Sequence, residues 1–557
     1  MSLATSADNL TSDNFLRSLL REQADLSAVQ RFSVWHDLED ISRITGSLKR
    51  DYRSLLPTSA PTADEQYAFH VDLDVCSGCK ACVVACHTLN GLEEEESWRR
   101  VGILTMSETP SQQRYVTMSC HHCADPACLN GCPVLAYDKD IDTGIVRHLD
   151  DQCIGCKYCT MMCPYQVPQY SQRLGIVRKC DMCSQRLRVG EAPACVQACP
   201  NEAISIRLAS RDQVAAKHAQ LVPTAPESTI TQPTTQYVSA LIFSQTTTAQ
   251  DKNLDHAEEP HWPLAAMLVL TQASIGLLIV SCLSEGMRSA MQSSNFVTGP
   301  ATEQIWWNSS IALLVAILGL AVAPLHLGQP LRAWRVFLGL RRSWLSREAV
   351  LLGCFVAILA GAIGVHWFDR IYPSNNPLMS WPMRIEDGLL MLALIFGLAG
   401  VFSSGMIYVA TRRELWDLEK TMVRFCGTAM LTGLVIASSL TAQVWLGAGA
   451  GIVLICKLLW EWADYLGGCR KTDSDLQKRS RRLIERELAL SRIVRLVLGF
   501  GGLSLIILGM SLIWAVKPVW GSAVMGVAAV ITLGGEFLER TLYFSGVVFD
   551  RMPGAMK

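Results

Sequence analysis

The sequence lacks several features that would narrow its function at once. It has no charge bias: 49 Lys and Arg face 50 Asp and Glu, for a formal net charge of −1. There is therefore no global attraction to nucleic acid, and none is expected as a partner. Its opening residues, MSLATSADNL, carry no basic region, no apolar run and no twin arginine, so a cleaved secretory signal is not expected. Long apolar stretches are absent before residue 260 and recur after it. Half the residues are hydrophobic, which is high for a soluble chain of 557. That length suggests three or four domains, or fewer if one is large and membrane-embedded.

What is present in excess is cysteine. Sixteen of the 21 lie between Cys76 and Cys199, in four sets of four. The sets are Cys76-Cys79-Cys82-Cys86, Cys120-Cys123-Cys128-Cys132, Cys153-Cys156-Cys159-Cys163 and Cys180-Cys183-Cys195-Cys199. Pro133, Pro164 and Pro200 follow three of the last cysteines. This is the C-x2-C-x2-C-x3-C-P spacing of ferredoxins, with longer gaps in the second and fourth sets. Disulfides and paired zinc knuckles are the alternatives. Cysteines at every third residue are poorly placed to bridge one another and well placed to wrap three corners of one cubane, with the fourth cysteine reaching a neighbouring cluster. Four [4Fe–4S] clusters follow. One takes Cys76, Cys79, Cys82 and Cys199, and its neighbour Cys180, Cys183, Cys195 and Cys86. The inner two take Cys120, Cys123, Cys128 and Cys163, and Cys153, Cys156, Cys159 and Cys132. His121 and His122 are expected to be hydrogen-bonding neighbours. The Glu93–Glu96 run reads as a solvated face, and Lys157, Arg173, Arg178 and Lys179 as ordinary surface.

The chain divides into an N-terminal extension (1–65), a cysteine domain (66–207), a Thr-, Ser-, Gln- and Pro-rich linker (208–260) and a membrane domain (261–550). Eight apolar spans are expected near 262–282, 306–325, 348–367, 388–410, 425–441, 443–460, 494–515 and 519–537, each about long enough to cross hydrocarbon. Trp306, Trp307, Trp381 and Trp520 near span ends read as interfacial aromatics. The expected fold is an α+β tandem ferredoxin-like iron–sulfur domain followed by an all-α bundle of eight transmembrane helices. The loops after the second, fourth and sixth spans hold most of the arginine and lysine, including Arg332, Arg335, Arg412, Arg413, Arg470, Lys471, Arg479 and Arg481. The alternate loops hold few, among them Arg288, Arg370, Arg384 and Lys517. By the positive-inside rule the basic loops, both termini and the cysteine domain lie on the cytoplasmic side of a bacterial inner membrane.

Several motifs exceed generic ferredoxin spacing. Cys120-His121-His122-Cys123-Ala124-Asp125-Pro126-Ala127-Cys128, Cys153-Ile154-Gly155-Cys156-Lys157-Tyr158-Cys159 and Lys179-Cys180-Asp181-Met182-Cys183 resemble the four-cluster electron-transfer subunit of dimethyl sulfoxide reductase-type molybdoenzymes. His326-Leu327-Gly328-Gln329-Pro330-Leu331-Arg332-Ala333 and Ser343-Trp344-Leu345-Ser346-Arg347-Glu348 resemble the eight-span anchor subunit of the same complexes. The resemblance implies the two subunits joined in one chain, with a molybdopterin-containing catalytic subunit as a separate partner.

Oxidising a quinol (menaquinol or ubiquinol) from the membrane pool releases two electrons and two protons, so the site needs a proton acceptor near a cluster. His326, at the end of the second span and just before Arg332, is the first candidate. Glu348, at the start of the third span, could relay the proton. Glu536 and Arg540, four apart on the last span, read as an ion pair, and His366 as interfacial. The expected function is transfer of electrons from quinol through the clusters to a partner that reduces an S-oxide or N-oxide. The same wire in reverse, from a dehydrogenase to quinone, is the alternative, and a membrane-bound iron–sulfur sensor is the rival of another class.

Overall fold

The computed structural model describes residues 52–106, 113–210, 220–241, 243, 247–292, 302–371, 382–470, 473–515 and 517–554. Most of the expected N-terminal extension, Trp381, Lys471 and the side chains of Arg288 and Arg384 lie outside the described residues.

The cysteine domain is a set of small sheets threaded by short helices. Strand β1 (Glu65–Asp72) alternates buried and half-buried side chains. It pairs antiparallel with β8 (Ile204–Ser210), placing Phe69 against Ile206. The first and last parts of the domain thereby meet, and everything between them is enclosed. Helix α1 (Ala81–Asn90) follows the first cysteine loop. Strands β2 (Arg100–Thr105) and β3 (Gln113–Met118) form a hairpin. Helix α2 (Ala127–Gly131), the β4 (Tyr137–Lys139)/β5 (Val146–His148) pair, helix α3 (Tyr158–Met162) and the β6 (Gln169–Ser171)/β7 (Ile176–Arg178) pair make the inner unit. Helices α4 (Ser184–Arg188) and α5 (Ala194–Gln197) close the outer one. Within the ferredoxin-like region the first and last cysteine sets are brought together, with the second and third between them.

The 208–260 segment, expected to be a linker, adds structure to the domain. Strand β9 (Gln236–Val238) pairs parallel with β1, and β10 (Thr248–Ala249) pairs with β2. Thr231, Thr234 and Thr235 are buried, and the Thr234 hydroxyl donates to the His121 carbonyl at 2.8 Å. Hydroxyls that satisfy buried backbone look like linker composition in a sequence.

Among the described residues, eight helices are long and apolar enough to cross a membrane, matching all eight expected spans. They are α6 (Trp262–Gln292), α7 (Thr302–Val322), α8 (Trp344–Ile371), α9 (Pro382–Val409), α10 (Leu418–Thr441), α11 (Val444–Glu461), α13 (Ala489–Trp514) and α14 (Pro518–Ser545). The short α12 (Asp475–Arg486) lies between α11 and α13 and is opened by a Ser474–Gln477 capping box. Helix α6 packs on α7 and α10, α8 on α9, and α14 on α10 and α13. At the α6–α10 crossing a Cβ on Gly276 would lie 1.8 Å from the Ala429 carbonyl oxygen, so the backbones touch only because Gly276 has no side chain.

Charge inside the bundle departs from expectation. Glu536 pairs with Lys457 and, at 3.0 Å, with Arg495, and not with Arg540. Arg495 also forks onto Glu461 at 2.7 and 3.0 Å. Arg424 bridges Glu539 (3.0 Å) and Asp464 (2.8 Å), and Arg540 stacks over Phe425 at 4.0 Å. The i,i+4 geometry of Glu536 and Arg540 lost to partners on other helices, which satisfy more of their hydrogen-bonding capacity. Trp306 and His366, near two span ends, pack on each other: Trp306 is buried, their rings stack at 4.2 Å, and His366 meets Glu386 at 3.2 Å. Trp307 and Trp520 are exposed, as interfacial aromatics are.

A thiolate wire docked on a membrane bundle

The cysteine loops are built on left-handed turns. Gly78, Lys80, Gly155, Lys157, Met182 and Cys183 all have positive φ, which curls each loop around its own sulfurs. Backbone N–H groups then donate to thiolates: Ala136 to Cys132 Sγ (3.2 Å), Ala203 to Cys199 (3.3 Å), Gly155 to Cys153 (3.4 Å) and Met182 to Cys180 (3.4 Å).

Four groups of thiols face one another. Cys76 neighbours Cys79 and Cys199, and these with Cys82 line one small cavity. Cys86 neighbours Cys180, Cys183 and Cys195. Cys120, Cys123, Cys128 and Cys163 line a second cavity. Cys132, Cys153, Cys156 and Cys159 gather as the fourth group. Among the described residues no three His, Cys, Asp or Glu side chains converge to hold a single metal ion. Tetrahedral zinc requires sulfurs about 2.3 Å from one point; these thiols instead surround a volume, as a cubane requires. Burial pushes the Cys163 and Cys132 thiols up to about 11 and Cys180 to about 12. At Cys153 burial acts in the same direction, but His148 and the backbone N–H groups of Val177 and Gly155 together outweigh it and the thiol is lowered. Cluster iron would stabilise these buried sulfurs as thiolates.

The groups form a line. Cys82 of the first is an electrostatic neighbour of Cys195 in the second, Cys180 of the second of Cys120 in the third, and Tyr137 touches the fields of Cys128 in the third and Cys159 in the fourth. Cys79, at the free end, is the only exposed cysteine of the sixteen. The other end meets the bundle. Gln329 N–H donates to the Ile154 carbonyl (3.0 Å), Ser343 Oγ to Gly131 O (2.7 Å) and Tyr158 Oη to Ile407 O (2.9 Å). A Cβ on Gly328 would fall 2.0 Å from the Gly175 carbonyl oxygen. The basic loops after α7, α9 and α11 lie on this same face.

Sequence reasoning missed Arg99. It is buried, with Nη1 donating to Thr117 Oγ1 (3.1 Å) and Nη2 to Ser119 Oγ (2.9 Å), among Cys82, Cys86, Cys180 and Cys195. Nothing in Trp98-Arg99-Arg100 marks which arginine turns inward. Lys179 is likewise buried rather than surface, donating to Cys180 O (2.8 Å), and Glu96 is buried against Arg178 rather than solvated. His121 bonds Thr235 Oγ1 (2.9 Å), and His122 Nδ1 accepts from Val146 N–H (3.1 Å). Burial and then Arg99 hold His121 down to about 3, so it is neutral.

In the membrane half, His326 ends the short turn Ala323–His326 after α7. Its Nδ1 meets the Ala323 carbonyl, which can only accept, so the proton sits on Nδ1 and Nε2 carries the lone pair. Glu348 is buried just after the first turn of α8 and accepts from Ser404 Oγ. Among the buried carboxylates of the described spans, Glu386, Glu461, Glu536 and Glu539 each have a cationic or histidine partner, and Glu348 does not. Tyr158, beside Cys156, is an electrostatic neighbour of Glu348. Arg332 lies on the turn Pro330–Gly339; among the described residues no hydrogen bond or ion pair joins it to His326 or Glu348. Arg347 stacks over Trp344 at 4.3 Å.

Residues 111–208 match a 4Fe-4S dicluster domain family, and residues 256–463 match the DMSO reductase anchor subunit family. The B subunit of the anaerobic dimethyl sulfoxide reductase of Haemophilus influenzae is 40% identical over 182 residues, covering 30% of this chain and 87% of that one. The chain belongs to the family of dimethyl sulfoxide reductase B subunits. The corresponding B subunit of Escherichia coli is 38% identical over 170 residues (29% and 82%), and the thiosulfate reductase electron transfer subunit of Salmonella typhi 38% over 143 (25% and 74%). In this dimethyl sulfoxide reductase-like chain an iron–sulfur electron-transfer subunit is fused to a multi-pass membrane anchor. Its cysteine domain binds iron–sulfur clusters, and its work is electron transfer at a membrane.

Proposed function

We propose that the chain carries electrons from membrane quinol through four [4Fe–4S] clusters to a molybdopterin-containing subunit that reduces an S-oxide or N-oxide. The observation that carries this reading is the docking of the Cys153–Cys159 loop on the Gly328–Gln329 segment, which only Leu327 separates from His326. A quinol beside His326 and Glu348 is thus next to the innermost cluster. Nε2 of His326 is an acceptor for one hydroxyl proton, and the Glu348 carboxylate for the other. The sixteen cysteines hold the clusters in the four groups described, which together supply low-energy steps for single electrons. Arg332 is outside the contacts made by either acid–base residue, and its part is to give the rim positive charge.

The wire leaves through the Cys79 end, where the catalytic partner docks. The face carrying the basic loops and the cluster domain is the cytoplasmic one. The chain should contain about sixteen irons, four per cluster. His326→Ala should slow quinol-driven cluster reduction on the order of a hundredfold while leaving dithionite reduction intact. Stopped-flow absorbance measures both, and unchanged quinol kinetics would remove His326 from the site. Redox titration of the clusters against the quinone couple separates this direction from the reverse one.

A further inference from the structure

Between the cluster domain and the bundle runs a cleft of about 380 Å³. Its roof is the turn that carries cluster cysteines, through Lys157, Thr160 and Met161. Its inner wall is Tyr408, Trp416 and Phe544, all buried; at its rim Glu95, His256 and Glu259 are exposed. A passage whose rim is charged and open to water does not suit an isoprenoid tail, and the quinol approaches from the lipid side. Water suits it.

Each acid–base candidate of the quinol site has a titratable neighbour on this cleft. His326 lies within electrostatic reach of His261 and of the Lys157 cation, both of which line the cleft, and Glu348 within reach of Tyr408, which forms its inner wall. Lys157 is held by Glu259 at 3.5 Å, which leaves His261 as the neighbour able to accept a proton. His261 is also strained. Its φ is +40° immediately before α6, a conformation unusual for a residue with a Cβ, and its carbonyl accepts from Leu264 N–H at 2.9 Å. The direct way out above Glu348 is closed, because Tyr158, Gly131 and Pro133 of the cluster domain are bonded over the start of α8 and the end of α9.

We propose that this cleft is the proton outlet of quinol oxidation, with His261 relaying from His326 and Tyr408 from Glu348, so that both protons leave on the face that bears the cluster domain. The inference rests on the quinol site proposed above. One turnover takes quinol to quinone, with two electrons lost to the clusters and two protons lost to the protein. One proton passes from Nε2 of His326 to His261, the other from the Glu348 carboxyl through the Tyr408 hydroxyl, and both end on water in the cleft.

The test uses the cluster-loaded full chain in liposomes containing a naphthoquinol. External ferricyanide, which does not cross the bilayer, takes electrons only from chains whose cluster domain faces out. Each quinol then yields two ferrocyanides and two protons, followed by a pH dye on either side. Acidification outside is expected. His261→Asn, which tolerates a left-handed backbone, combined with Tyr408→Phe, should slow quinol-driven reduction on the order of tenfold or more and raise the solvent deuterium isotope effect. Dithionite reduction should not change. Acidification of the lumen, or a wild-type rate and isotope effect in the double variant, would overturn the outlet. If His326→Ala and Glu348→Gln slow the reaction and the double variant does not, the outlet alone fails. If those two are also silent, the quinol site fails and the outlet with it.

Discussion

At the scale of single residues, Arg99 shows how a fold sets the properties of a cofactor it surrounds. Burial opposes its charge, and the thiolates of Cys195 and Cys82 more than compensate, so the guanidinium stays charged among the two outer thiol groups. A fixed cation favours the reduced, more negative form of a cluster. On the four-cluster arrangement proposed above, Arg99→Met should therefore lower the midpoint potentials of the two outer clusters, on the order of tens of millivolts for a unit charge at an effective dielectric of about 20. The inner two should hardly move. Redox titration followed by electron paramagnetic resonance reads all four, and a uniform shift would argue against a local electrostatic effect. Glu348 is the opposite case: a carboxyl left without a counter-charge where every comparable one has found a partner, as expected of a group that must change protonation during turnover.

At the scale of elements, the membrane helices separate what hydropathy can reveal from what it cannot. The expected centres of all eight spans agree with the helices, because about twenty apolar residues in succession leave few other structures open to them. The expected ends fail where charges enter the bundle. The fifth span reads as starting at 425 and the helix starts at Leu418; the eighth reads as ending at 537 and the helix ends at Ser545. The missing turns hold Lys420, Arg424, Glu539 and Arg540, whose partners lie on other helices and are invisible to a window moving along one chain. The partners of the basic loop after α11 are equally invisible in sequence: Arg479 is bound by Asp255 at 2.6 and 2.8 Å, and Arg481 donates to Ala463 O at 2.8 Å. The iron–sulfur character of the cysteine domain, by contrast, was legible because the spacing of the cysteines is itself the signature. Removing one member of a buried pair leaves the other uncompensated, so Glu536→Ala should cost about 3–5 kcal/mol. Breaking the exposed Glu303–Arg370 pair by Glu303→Ala should cost less than about 1 kcal/mol. Thermal inactivation in detergent compares the two, and equal effects would mean that the interior network contributes no more than a surface pair.

At the scale of the whole molecule, function depends on two bodies meeting with little room to spare. Gly328 touches Gly175 backbone to backbone, and Gly339 approaches Pro133 so closely that a Cβ would lie 2.4 Å from its carbonyl oxygen. Gly328→Ala should push the cluster domain off the bundle without disturbing either core. The expected outcome is clusters that dithionite still reduces and quinol reduces at least about tenfold more slowly, since electron donor and acceptor must be held close and oriented. A variant with wild-type quinol kinetics would mean that the contact has slack.

The nesting of the cysteine groups also orders events in time. A ribosome delivers Cys163 well before Cys199, so both inner groups have all their ligands while each outer group still waits: Cys76, Cys79 and Cys82 for Cys199, and Cys86 for Cys180, Cys183 and Cys195. The innermost, membrane-facing end of the wire can thus be assembled first, and the exposed end, where stray oxidants and premature partners would do most harm, stays incomplete until Cys199 has been made.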